Sequence, residues 1–107
     1  MNDNITERIV TILENKKAQN ISNIDVKDKT IIADNFVVAT GTSITHIRAL
    51  ADNVEEELKK QNIYPNKIEG YNSNGWILLD YGEVVVHIFT EQERERYNLD
   101  ELWKISK

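Results

Sequence analysis

At 107 residues the chain has the length of one domain, large enough to bury a core and too short for a separate regulatory module. Its 13 Lys and Arg against 18 Asp and Glu give a formal charge of -5, which disfavours nucleic acid as the main contact and favours a basic partner. Cysteine is absent, which excludes disulfides, Cys-ligated zinc and thiol catalysis. Apolar runs span a few residues and Met1 is followed by Asn-Asp-Asn, so neither a membrane span nor a signal peptide is expected and a cytoplasmic location is.

Asn4 or Thr6 can cap a first helix that carries Ile5, Ile9, Ile12 and Leu13 at helical spacing and runs to about Ala18. Residues 21–26 fit a short strand, with Ile21, Ile24 and Val26 as its apolar positions, before the turn-like Lys27-Asp28-Lys29. Asp34-Asn35 divides Ile31-Ile32 from a buried strand over residues 36–40. Gly41-Thr42-Ser43 closes that strand and opens a helix, with Thr42 or Ser43 able to cap it. The helix shows one apolar stripe, Ile44, Ile47, Leu50, Ala51, Val54 and Leu58. Pro65 prevents its continuation, and residues 67–71 predict a strand. Residues 76–89 form a central hairpin, two apolar runs around the corner Asp80-Tyr81-Gly82-Glu83. Thr90 can cap a short polar helix over 91–96, and residues 99–105 predict a last turn or two docked by Leu99, Leu102 and Trp103. These elements predict a single α/β domain, a mixed β-sheet flanked by helices.

Period-two alternation sets Trp76, Leu78 and Asp80 on one face of the hairpin's first arm and Ile77, Leu79 and Tyr81 on the other. One face can pack on helices. The other, with a Trp at the rim of the sheet beside an acidic corner, is a candidate partner surface: Trp76 and Leu78 as apolar anchors, and Asp80, Tyr81 and Glu83 as polar or charged contacts. His46 and Ser43 are second-tier candidates. His87, within an apolar strand, reads as a hydrogen-bonded structural imidazole.

The strand–Gly41-Thr42-Ser43–helix arrangement is a plausible anion cradle, although capping and a tight turn explain the same residues. It lacks the further glycines and the Lys of a P-loop and the repeated glycines of a dinucleotide fingerprint, so no cofactor is expected. The turn is also similar to that of nucleotidyltransferases, which hold paired carboxylates for two metal ions on a neighbouring strand. Here that strand offers Asp80 and Glu83 on either side of a corner and continues as Val84-Val85-Val86-His87, so the required Asp-x-Asp pair is absent and no metal site is expected. A nucleotide-handling enzyme and a dimeric structural adaptor using the Trp76 face stand as alternatives to a partner-binding regulator.

Phe36-Val37-Val38-Ala39-Thr40-Gly41-Thr42-Ser43 with His46, Glu69-Gly70, residues 76–82, Val86-His87 and residues 97–103 together resemble the ribosomal silencing factors, the RsfS or Iojap family. The resemblance runs from the first helix almost to the C-terminus. Glu83 stands where Asp is usual, Asp100 where Glu is usual, and Asn35 where an aromatic is often seen. The resemblance implies a nucleotidyltransferase-like fold without catalytic carboxylates, usually a homodimer. It also implies a translational repressor that binds the large ribosomal subunit through its protein number fourteen and sterically blocks joining of the small subunit when nutrients are scarce.

Overall fold

The computed structural model describes residues 2–31 and 33–98. Helix α1 (Asn2–Asn15) begins upstream of both Asn4 and Thr6, so neither caps it, and Thr6 is buried instead. It ends three residues before the expected Ala18, because Lys17 takes a left-handed φ of 67°. Lys17 N–H then donates to the Glu14 carbonyl at 3.0 Å and Ala18 N–H to the Leu13 carbonyl at 2.9 Å, the paired bonds that terminate a helix. Ala18 still packs on the core, which is why its apolar character prolongs the helical pattern in the sequence.

Strand β1 (Gln19–Asp25) starts earlier than residues 21–26, and Asn20, at φ 49°, accompanies a register shift between Gln19 and Ser22. That irregularity re-aims the side chains and accounts for the imperfect alternation of Ile21, Ile24 and Val26. Strand β2 (Asn35–Gly41) contains the expected 36–40 run, six of its seven residues buried. Ile31 precedes it fully exposed and outside any strand. Helix α2 (Ile44–Lys59) buries Ile47, Leu50, Ala51, Val54 and Leu58, while Ile44 at its first position is exposed.

Strand β3 (Lys67–Glu69) stops short of Tyr71 because Gly70 leaves the extended region at φ +77°. Strands β4 (Trp76–Asp80) and β5 (Val84–Thr90) form the hairpin. Its corner is tighter than four residues: Asp80 completes β4, and Tyr81 N–H donates to the Val84 carbonyl at 2.9 Å. Gly82, at φ +85°, supplies the one conformation there that disfavours other residues. Helix α3 (Glu91–Tyr97) follows directly; Thr90 precedes it without a side-chain capping bond. The expected tail over 99–105, with Leu99, Leu102 and Trp103, lies outside the described residues.

The sheet order is β1-β2-β5-β4-β3, with β2 and β5 parallel and the other neighbours antiparallel. The mixed sheet is thus five-stranded with β5 at its centre. One face is sealed by α1 and α2, where Ile9, Leu13, Leu50 and Val54 meet Ile77, Leu79, Val86 and Ile88, all fully buried. A second, smaller cluster on the opposite face joins Ile24, Val26, Ala33, Phe36, Val38, Val85 and Phe89, with Trp76 and Leu78 packed at its border. Among the described residues α3 is the helix that reaches this face. No helix there is long and apolar enough to cross a membrane.

Candidate functional site

The alternation along β4 is carried out in full: Ile77 and Leu79 are fully buried under the helices, and Trp76, Leu78 and Asp80 are half-buried on the opposite face. Trp76 is held from several sides. Its indole lies 5.0 Å from the Phe89 ring and 4.5 Å from Tyr97, centroid to centroid, and Nε1–H donates to His87 Nδ1 at 3.2 Å. Its backbone is held as well, since Ser73 Oγ accepts from Trp76 N–H at 3.2 Å and donates to the Trp76 carbonyl at 2.9 Å. A side chain at Gly70 would strike that carbonyl, with a Cβ only 2.1 Å away. Beside the indole, Glu69, Gly70, Trp76 and Leu78 line a shallow groove of about 200 Å³.

The acidic corner divides between the two faces. Asp80 Oδ1 accepts from Gly82 N–H at 2.8 Å, so this carboxylate shapes the turn as well as charging it. Glu83 projects into solvent at the corner, while its backbone carbonyl accepts from Asp34 N–H at 2.7 Å and Asn35 N–H at 3.1 Å. Tyr81 packs against the helix-covered core, away from Trp76. Burial, and then the nearby charge of Glu55, pushes its phenol up to about 12. The structure therefore brings Trp76, Leu78 and Asp80 onto one face with Glu83 at its corner, and sets Tyr81 on the other.

Two residues outside the expected contact set belong to this face. Tyr97, 44% exposed, reaches back from α3 to pack at a tilt on Trp76 and extends the aromatic surface into solvent. His87 lies beneath the indole, buried, with Phe36 meeting its ring edge-on at 4.8 Å. As the apolar strand leads one to expect, it is hydrogen-bonded, through Nδ1. Nδ1 accepts from the indole, so the neutral ring carries its proton on Nε2, which is buried and has no partner among the described residues. An unpaired buried N–H costs about 1–3 kcal/mol, and burial lowers the His87 pKa from 6.5 to about 4.

The Gly41-Thr42-Ser43 turn is used internally. Ser43 caps α2, its Oγ accepting from His46 N–H at 3.0 Å. Thr42 N–H donates to His46 Nδ1 at 2.9 Å, and His46 Nε2 donates to the Lys16 carbonyl at 3.0 Å, joining the end of α1 to the start of α2. A Cβ on Gly41 would stand 2.7 Å from Ile47 Cγ2, so the glycine lets the strand end approach the helix. Ser43 and His46 thus serve the junction of α1 and α2, and neither lines the Trp76 groove. Among the described residues no three His, Asp or Glu side chains come together in a group that could hold a metal ion.

Comparison with known proteins is consistent along the chain. The family model described as "Ribosomal silencing factor during starvation" matches residues 2–107. A ribosomal silencing factor of Haemophilus influenzae is 37% identical over 99 residues, covering 92% of this chain and 97% of that protein. One from Halalkalibacterium halodurans is 34% identical over 102 residues, covering 95% and 87%. The mouse protein named for mitochondrial assembly of the ribosomal large subunit is 30% identical over 92% of this chain, which spans 45% of the mouse protein. A crystal structure of a Chromobacterium violaceum protein superposes with a TM-score of 0.92 at 32% identity, over 95% of this chain and 85% of that one. With the family pattern matched from α1 to the C-terminus and the same fold in a relative at this identity, the chain belongs to the ribosomal silencing factor family.

Proposed function

We propose that this protein is a non-enzymatic translational repressor of the cytoplasm. It binds the large ribosomal subunit through that subunit's protein number fourteen, and its bulk sterically blocks joining of the small subunit, lowering translation when nutrients are limiting. The observation that carries this reading is the family match over residues 2–107. The Trp76 face supports the choice of contact surface: a half-buried indole and Leu78 line a groove with Glu69, and Asp80 and Glu83 stand at the other end of β4, an arrangement that suits a basic protein surface presenting an apolar patch. Trp76 and Leu78 act as anchors, and Asp80 and Glu83 pair with cations at the rim. Tyr81 contributes from beneath by holding the corner, and Ser43 and His46 by holding the helix junction. No cofactor takes part. The protein pairs as a homodimer.

Purified protein mixed separately with large and small subunits and sedimented through a cushion tests the reading. It is expected to pellet with large subunits alone, and Trp76→Ala to weaken that binding by about 2 kcal/mol or more, roughly thirty-fold. Absence of association with large subunits would contradict the partner. Full-strength binding by a folded Trp76→Ala variant would contradict the face, and loss of self-association in that variant would favour the adaptor reading.

A further inference from the structure

We propose that His87 is the positioning residue of the Trp76 surface: its Nδ1 selects one orientation of the indole and holds it for the partner. The inference rests on Trp76 being a partner anchor.

His87 sits in the central strand, in register with Val38 of β2 and Leu78 of β4, and is 5% exposed, so it does not itself reach a partner. Trp76 pairs with Phe89, which makes His87 its diagonal neighbour on the same face, a separation that large side chains bridge. The other residues from Val84 to Phe89 are apolar, and an apolar side chain in this place would have no polar group of its own to satisfy. The imidazole instead leaves Nε2 buried without a partner among the described residues. What it supplies that Leu or Val would not is an acceptor 3.2 Å from the indole N–H, a group that can only donate.

The ring contacts of Trp76 are the less directional part of its seat. Phe89 and Tyr97 meet the indole at tilts of 31° and 47°, and such contacts tolerate rotation about the last side-chain torsion, which is broad and roughly two-fold. A half-turn would carry the six-membered ring to the other side of that bond and swing Nε1 away from His87. The hydrogen bond favours one of the two orientations, and the edge of Phe36 against the imidazole keeps the acceptor in place.

The test compares His87→Leu, His87→Asn and Trp76→Ala by affinity for large subunits, thermal melting, and the NMR resonance and exchange protection of the Trp76 indole N–H. His87→Leu is expected to melt at or above the wild-type temperature, lose protection of the indole N–H, and bind about ten-fold more weakly. His87→Asn, whose Oδ1 stands near the place of Nδ1, is expected to melt lower than His87→Leu yet bind within about two-fold of wild type. Affinity and stability thus rank the two variants oppositely. Affinity that follows stability, or wild-type affinity in His87→Leu, overturns the inference. If Trp76→Ala weakens binding and His87→Leu does not, the inference alone fails. If Trp76→Ala binds fully, the contact face fails and takes the inference with it.

Discussion

His87 is buried in the central strand, with its Nδ1 accepting from the Trp76 indole. Its pKa falls from 6.5 to about 4 because burial disfavours the imidazolium, and protonation would also remove the acceptor that Trp76 uses. As pH falls below 6.5 the unfolded chain takes up a proton that the native state refuses until about pH 4, so native stability declines through that window and is level below it. The decline amounts to about 3 kcal/mol in all, of which about 2 kcal/mol is lost by pH 5. Urea unfolding at pH 7 and pH 5 is expected to show this loss in wild type and little of it in His87→Leu; equal losses in both would assign the acid sensitivity elsewhere. At Gly70 the constraint is steric. Gly70→Ala places a Cβ against the Trp76 carbonyl at a φ of +77°, so a loss of about 1–3 kcal/mol in stability is expected, with altered Trp76 fluorescence. Wild-type stability in Gly70→Ala would mean that the loop between β3 and β4 yields easily.

At the scale of elements, the sequence is most legible where one physical signal dominates. The stripe from Ile47 to Leu58 specifies α2, and the β-branched runs around Gly82 specify the hairpin and its facing. The end of α1 is not legible, since a left-handed Lys17 carries none of the signal a glycine would. Nor is the start of β1, where the shift at Asn20 breaks the alternation from which a strand is recognised. Alternation separates Tyr81 from Trp76, and the structure keeps that separation, so the acidic corner serves two faces. Tyr97 and His87 escape notice as site residues for another reason: their contacts with Trp76 depend on strand register and on where α3 returns, neither of which local pattern encodes. The Gly41-Thr42-Ser43 turn resolves toward capping. Ser43→Ala is expected to cost about 1 kcal/mol in unfolding and Ser43→Asp to recover most of it. No loss in Ser43→Ala would show that the His46 network carries the helix start alone.

Across the whole molecule the two faces of the sheet divide the work. The face under α1 and α2 holds the larger core, from Ile9 to Ile88, and the opposite face combines a smaller apolar cluster with the half-buried Trp76 and Leu78. Truncating Trp76 therefore leaves the principal core untouched while removing the proposed anchor. A formal charge of -5 draws such a protein toward a basic surface. Blocking by bulk needs no chemistry at the contact, only occupancy of the large subunit where the small one must land. The most direct measurement is the fraction of large and small subunits that join into whole ribosomes as this protein is titrated onto the large subunits beforehand. Steric blocking predicts that joining falls in proportion to occupancy and recovers when Trp76→Ala replaces the wild-type chain. Undiminished joining on large subunits saturated with the protein would contradict it.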